Sequence, residues 1–122
     1  MKRTTTTKMR SRRSAQPHFE RTILTLIDQC CRFDQLATAL KPWAEKWSMA
    51  TMERWMELPN LPLKQREMIL TALALKADER CGAILEAYDP AGESEEHRLF
   101  HRVCIIEWEQ RYPPPNTPDA AA

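Results

Sequence analysis

Hydrophobic residues recur with the period of an α-helix along most of this chain. The longest such stretch runs from Leu61 to Tyr88, with Pro62 at its start and Pro90 just after its end. On a helix with 3.6 residues per turn, its apolar residues fall on one face. This pattern predicts an amphipathic helix over 62–88, although Asp78 could restart it as two helices. The face consists of Leu63, Leu70, Leu73, Ala74, Ala77, Cys81, Ile84, Leu85 and Tyr88.

A second continuous apolar stripe near the amino terminus predicts a helix over 18–40. Pro42 would break the interior of such a helix, so it should instead open a second helix over 42–58. Ser48 offers an alternative, because as an N-cap it would begin a separate short helix at Met49. The stripe consists of Phe19, Ile23, Leu26, Ile27, Cys30, Phe33, Ala37 and Leu40.

The last helix is predicted over 94–112. Ser94 is a suitable N-cap, and the two glutamates that follow it complement the helix dipole. Three consecutive prolines at 113–115 end the helix, and the tail 113–122 is expected to be extended or disordered. The core stripe of this helix consists of Leu99, Phe100, Val103 and Ile106.

These four helices predict an all-α single domain over 17–112. The chain contains one valine and no alternating β-branched runs, which argues against a sheet. Because the predicted loops are short, neighbouring helices should be antiparallel, as in an up-down four-helix bundle. At ~1.5 Å per residue the first and third helices span roughly 35–40 Å and the others roughly 25 Å. Part of the long pair should therefore remain uncovered, which leaves room for a partner or a homodimer contact.

The charge distribution is strongly uneven. Residues 1–16 contain six basic residues and no acidic one, whereas the rest of the chain holds 12 basic and 17 acidic residues. We expect this basic arm to be disordered and to contact nucleic-acid phosphates without reading sequence, because it lacks aromatic side chains. The alternative is a solvated tail, or one that folds onto the acidic body. The cations are Lys2, Arg3, Lys8, Arg10, Arg12 and Arg13.

Tryptophan and methionine are concentrated in the predicted second helix. Both residue types are common at surfaces that bind other proteins, so this segment is a candidate protein-binding site. The alternative is an ordinary hydrophobic core. The candidate residues are Trp47, Met49, Met52, Trp55 and Met56.

His97, His101 and Cys104 lie on one side of the last helix at a spacing that metal ligands can use. One helix cannot supply a tetrahedral set, and the chain has no paired-cysteine zinc motif. We therefore predict no metal site and no cofactor, and keep a zinc-stabilised helical module as an alternative.

The sequence lacks a glycine-rich phosphate loop and a nucleophile elbow, so no enzymatic activity is predicted. No apolar run approaches the ~20 residues of a membrane span. With four cysteines and no secretory signal, a reduced, cytoplasmic protein is expected. The leading prediction is a small helical regulatory or adaptor protein that binds a protein partner and uses its arm for non-specific nucleic-acid contact. A pure adaptor or chaperone without a nucleic-acid role is the alternative, and the sequence does not identify the partner.

Overall fold

The computed structural model describes residues 16–112, which form five α-helices. They are α1 (Gln16–Lys46), α2 (Met49–Met56), α3 (Leu63–Lys76), α4 (Glu79–Ala87) and α5 (Glu95–Arg111). The prediction of an all-helical fold is confirmed, and there is no strand within this range. The expectations for residues 1–15 and for the tail 113–122 concern parts of the chain outside it. The structure differs from the predicted helices at two places, and the second of them raises the number from four to five within this range.

The first difference is that α1 continues through Pro42 to Lys46, which moves the boundary between the first two helices but leaves their number unchanged. Leu40 and Ala44 are both buried, and Pro42 lies between them with its ring exposed to solvent. Proline removes one backbone hydrogen bond from the helix. The packing of Leu40 and Ala44 on either side of it keeps the helix continuous. The second helix begins at Met49, where the Ser48 hydroxyl accepts a hydrogen bond from the Thr51 N–H at 3.1 Å. The Ser48 alternative is therefore correct.

The second difference, which adds the fifth helix, is a break in the predicted long helix over 62–88. Ala77 adopts a left-handed conformation with φ of 54° and ends α3. The Asp78 carboxylate then accepts a hydrogen bond from the Arg80 N–H at 2.8 Å and begins α4. This reversal matters because it folds α4 back against α3 and α5, which a straight helix could not do. The restart at Asp78 was the alternative left open by the sequence.

Helices α1, α3 and α5 pack together and run in the same direction. The Thr22 hydroxyl lies 3.5 Å from the Glu95 carboxylate, and eleven residues further along α1 the Arg111 guanidinium lies 5.7 Å from the Phe33 ring centre. Helix α4 runs the opposite way along α5, while α2 lies against α3 and α4. The core consists chiefly of Phe33, Ala44, Met52, Ile69, Leu70, Ala72, Leu73, Ala74, Cys81, Leu85, Phe100, Val103 and Cys104.

Gly82 in α4 makes room for an aromatic ring. A Cβ atom at this position would lie 2.2 Å from Cζ2 of Trp108. The indole N–H of Trp108 donates a hydrogen bond to the Asp78 carbonyl at 2.8 Å, and its ring stacks on Tyr112. The small residues of α4 therefore admit a tryptophan side chain from α5.

The predicted apolar stripe of α1 is only partly buried. Phe33 and Leu40 are in the core, but Phe19, Ile23 and Ile27 are exposed, as is Cys30. The face that α1 buries is rotated from the predicted one. It includes Gln29, which is 3% exposed and accepts a hydrogen bond from Arg32, and Arg32 also pairs with the Glu67 carboxylate of α3.

Candidate functional site

The tryptophan–methionine cluster is divided between the core and the surface. Met52 has no exposed surface and is a core residue, so it cannot contact a partner directly. The other four predicted residues, Trp47, Met49, Trp55 and Met56, are half-buried and pack on the core from outside. The core interpretation thus holds for Met52, and a protein-binding role of the other four residues stays a prediction.

Two of these tryptophans form one wall of an apolar groove between α2 and the start of α3. The rings of Trp47 and Trp55 meet edge to face with their centres 5.3 Å apart. The groove encloses about 260 Å³, and Gln65 is its one polar lining residue within the described range. We call it the tryptophan groove and define it by Trp47, Trp55, Leu58, Leu61, Gln65, Met68 and Ile69.

The apolar surface continues from the groove onto Trp43. This side chain is 51% exposed and stacks on Trp47 with ring centres 6.4 Å apart. The Lys46 ammonium lies over the Trp43 ring, 5.3 Å from its centre. Leu58, on the opposite side of the groove, is also 51% exposed. Sequence analysis missed Leu58, Leu61 and Met68, although leucines on either side of the Pro59–Asn60 turn were a usable signal.

The predicted nucleic-acid-binding cations lie outside the described residues. Lys2, Arg3, Lys8, Arg10, Arg12 and Arg13 all precede the first residue of α1.

A chain of hydrogen bonds runs through the centre of the protein, and sequence analysis also missed it. Glu67 of α3 is 3% exposed and pairs with Arg32 of α1 through one carboxylate oxygen. Its other oxygen lies 2.8 Å from Nδ1 of His97, which has no exposed surface. Nε2 of His97 lies 2.7 Å from the Tyr88 hydroxyl, which lies 2.9 Å from a guanidinium nitrogen of Arg66. Glu67 lies on the apolar face of its helix, between Leu63 and Leu70. A charged residue on an apolar face was the available signal for a buried polar contact.

The chemistry of its two ends fixes the direction of the hydrogen bonds there. A guanidinium can only donate and a carboxylate can only accept. Arg66 therefore donates to the Tyr88 oxygen, and the His97 Nδ1–H donates to Glu67. A phenol oxygen can accept as well as donate, so the hydrogen bond between Tyr88 and Nε2 of His97 can run in either direction. Every buried side-chain polar atom in the described part of the protein has a partner.

This network changes the pKa values of its members. Burial alone would raise the pKa of Glu67, but the hydrogen bond from His97 and the positive charge of Arg32 outweigh it, so the pKa is lowered. Burial raises the pKa of Tyr88, and the hydrogen bond from Arg66 offsets part of that rise. Glu67 is thus held as a carboxylate and Tyr88 as a phenol.

The residues considered as metal ligands have other partners. The buried His101 ring places Nε2 2.6 Å from the Leu85 carbonyl oxygen, to which it donates. Burial strongly raises the pKa of the Cys104 thiol, which disfavours the thiolate that a metal requires. Among residues 16–112 there is no group of three or more histidine, cysteine or acidic side chains able to hold a metal ion.

A second cleft, of about 580 Å³, lies between α2 and α4 and has an acidic rim. Glu53, Glu57 and Asp89 line it, and the Arg80–Glu53 ion pair at 2.9 Å lies beside them. Tyr88 also lines this cleft, so the hydrogen-bonded chain approaches the surface here. His97 has no exposed surface. Its Nε2, the nitrogen that an acid–base catalyst would use, is hydrogen-bonded to the Tyr88 hydroxyl.

Residues 16–112 thus form a five-helix, all-α fold with a buried polar network and an apolar groove on its surface. No family model, curated protein or solved structure matches the chain. Within residues 16–112, no helix is both long enough and apolar enough to span a bilayer.

Proposed function

We propose that this protein is a non-enzymatic regulatory or adaptor protein that binds an apolar helical segment of a protein partner in the tryptophan groove. The observation that carries this proposal is the pair of tryptophan rings beside an apolar hollow that no side chain of the described fold fills. Tryptophan is the residue type most enriched at binding hot spots. At about 260 Å³ the groove is smaller than the roughly 300–1,000 Å³ of small-molecule sites but suits one or two apolar side chains.

The charges beside the groove favour a partner with acidic flanks. Lys46, Arg54 and Lys64 are exposed, and each is the neighbour in sequence of a groove residue. Glu53 of α2 and Glu57, the residue that caps its C-terminus, line the cleft on the other side of that helix. An amphipathic helix that inserts a leucine or an aromatic residue and carries aspartate or glutamate beside it would match both features.

The basic arm supplies the second part of the proposal, non-specific contact with nucleic acid. Its support is the sequence alone: six cations within 16 residues, with no acid among them. Such a segment would add electrostatic affinity without choosing a sequence. If the arm does not bind nucleic acid, the protein is an adaptor or chaperone that acts through the groove only.

The groove can be tested with a photoreactive amino acid at position 58 in the full-length protein, expressed in its native host. The matched control places the same amino acid at position 106, because Ile106 is 45% exposed but lies on α5 away from the groove. We expect one discrete adduct from position 58 that is absent from position 106, with the crosslinked peptide read by mass spectrometry.

The crosslinked segment, made as a synthetic peptide, then serves as the ligand in a titration. Leu58→Glu should weaken its binding by about tenfold or more, which corresponds to roughly 1.4 kcal/mol, whereas Ile106→Glu should leave it unchanged. Met52→Ala is not suitable, because Met52 is a core residue. Equal adducts at both positions, or a Leu58→Glu variant that binds normally, would rule out the groove as the binding site.

A further inference from the structure

The C-terminal tail leaves the described fold close to the tryptophan groove. Arg111, the last residue of α5, lines a cleft of about 590 Å³ that Ala44 of α1 also lines. Trp47, which forms one wall of the groove, comes three residues after Ala44, and its N–H still donates to the Trp43 carbonyl as in a helix. The end of α5 and the groove are therefore separated by one cleft and one helical turn.

The sequence of this tail suits a groove lined by tryptophan. Positions 113–118 read PPPNTP, and we call them the proline segment. Consecutive prolines favour the polyproline II helix, a preformed conformation that costs little entropy to bind and that docks into aromatic-lined grooves. Pro115 and Pro118 are three residues apart, which is one turn of that helix, so in it both rings would project to the same side. The rings of Trp47 and Trp55, with centres 5.3 Å apart, offer the apolar, aromatic surface that such a pair requires.

We propose that the proline segment of each chain occupies the tryptophan groove of the same chain, with Pro115 and Pro118 against the rings of Trp47 and Trp55. The segment then acts as an internal competitor that a protein partner must displace. This inference rests on the proposed function, since it concerns the regulation of the same groove. The hollow of about 260 Å³ that the described fold leaves open holds one or two apolar side chains, which is what the two prolines supply.

The tail is long enough to reach the groove. Tyr112, the last described residue, is held against α5 by stacking on Trp108 with ring centres 5.0 Å apart. In polyproline II, at ~3.1 Å per residue, the six residues from Tyr112 to Pro118 span roughly 19 Å. One helical turn along α1 takes ~5 Å of that reach, and roughly 14 Å is left to cross the cleft. The tether also holds the segment at an effective concentration on the order of mM, so even a weak contact is occupied.

Charge favours the tail over the basic arm as the occupant. Asp119, which directly follows Pro118, is the one charged side chain in positions 113–122. Three exposed cations flank the groove, as described above, and positive charge also exceeds negative charge in the cleft that the tail must cross. The basic arm would meet like charges on both surfaces. The charged residues of the cleft are Lys41, Glu45, Lys76 and Arg111.

The test uses purified full-length protein with no partner present. A photoreactive diazirine amino acid close in size to leucine replaces Leu58 on the groove, and the matched control places it at position 106. Ile106 is 45% exposed and lies nearer to the tail in sequence, so random collisions favour the control. Trypsin then releases the tail as a peptide that begins at Tyr112, and position 58 lies in the peptide 55–64.

We expect position 58 to crosslink to the tail peptide with a yield at least about tenfold above that from position 106. A mixture of unlabelled and isotope-labelled protein should give only crosslinks in which both peptides carry the same label, because the segment binds its own chain. Mixed-label crosslinks would show that a second copy supplies the tail, and a yield no higher than the control would show that the tail does not cover the groove. Either result overturns the proposal.

Replacement of two prolines separates recognition from proximity. The variant P115G/P118G keeps the length and the charge of the tail but removes its preference for polyproline II, so the crosslink from position 58 should fall to the control level. Both positions follow the last helix, so the helical circular dichroism signal should not change. An unchanged crosslink in P115G/P118G would contradict the proposal, because the tail would then lie near the groove without being recognised.

The same variant connects the tail with partner binding. If the tail covers the groove about nine-tenths of the time, P115G/P118G should bind the partner peptide about tenfold more tightly than the wild type. Equal affinities would contradict the role of an internal competitor. The crosslink to the tail requires no partner, so its absence would overturn this proposal and leave the groove available as a partner site. A tail crosslink without any partner adduct would instead contradict the proposed function alone.

Discussion

The Nδ1–H of His97 donates a hydrogen bond to Glu67 across 2.8 Å, between two side chains that are 0% and 4% exposed. The other carboxylate oxygen of Glu67 pairs with Arg32, and Nε2 of His97 lies 2.7 Å from the Tyr88 hydroxyl. This pair therefore connects α1, α3 and α5 with the residue that follows α4. An apolar core could slide along these helices, whereas a buried carboxylate with two fixed partners specifies one register.

Glu67→Gln should lower the free energy of unfolding by about 2 kcal/mol, because a neutral amide replaces a buried carboxylate that accepts charged hydrogen bonds. The matched control is Glu93→Gln at the outer end of the network. Glu93 is 32% exposed and pairs with Arg66 at 3.1 Å, so this change should cost less than about 1 kcal/mol. Guanidinium denaturation followed by circular dichroism measures both values. Equal losses in the two variants would contradict a central role for Glu67.

His101 should make the protein less stable as the pH falls from 7 to 5. Burial lowers the pKa of this imidazole below its ordinary value of 6.5, although its hydrogen bond to the Leu85 carbonyl opposes part of the effect. Below pH 6.5 the unfolded chain takes up a proton that the folded protein binds less well, so the free energy of unfolding decreases. One such group contributes at most about 1.4 kcal/mol per pH unit.

The variant that tests this effect is His101→Gln, whose amide can donate to the same carbonyl oxygen. It should be less stable than the wild type at pH 7 but should lose less stability on acidification to pH 5. His18→Gln, which changes an exposed histidine of α1, serves as the control and should follow the wild-type pH dependence. An unchanged slope in His101→Gln would show that this residue is not responsible.

Ala77→Gly should stabilise the protein by up to about 1 kcal/mol, because Ala77 has a φ of 54°, where glycine has no steric penalty. Ala83→Gly, at an exposed position inside α4, should instead cost about 1 kcal/mol through lost helix propensity. Thermal unfolding of the two variants should thus shift in opposite directions. A destabilised Ala77→Gly would mean that α3 does not end in a left-handed residue.

Deletion of residues 2–15 should abolish retardation of duplex DNA or RNA while leaving the helical circular dichroism signal unchanged. In the full-length protein, six cations limit the slope of log K against log salt concentration to about −5. Replacing the six cations with glutamine should have the same effect as the deletion, which separates charge from length. Full-length protein that causes no retardation even at low salt would leave the groove as the main functional surface.

Much of the fold could be predicted because helical periodicity and capping are local properties. The prediction of a helix over 94–112 agrees with Glu95–Arg111 to within one residue at each end. Ser48 and Asp78 carried capping signals that mark the real start of a helix. Pro42 led to a wrong boundary for the first helix, because the burial of Leu40 and Ala44 outweighs the helix-breaking tendency of a single proline.

The candidate site was less predictable, because it is assembled from distant segments. Trp47 and Trp55 were identified from composition, but Leu61 and Met68 complete the groove only after α3 folds against α2. Glu67 and His97 are 30 residues apart, and nothing local connects them.

The sequence by itself determined that this protein is helical, where most of its helices begin, and that its charge is divided between a basic arm and an acidic body. Each of these properties depends on residues within a few positions of one another. Only the tertiary structure decided which face of α1 is buried, because that choice depends on how α3 and α5, which are distant in sequence, pack against this helix. The same choice left Phe19, Ile23 and Ile27 in solvent.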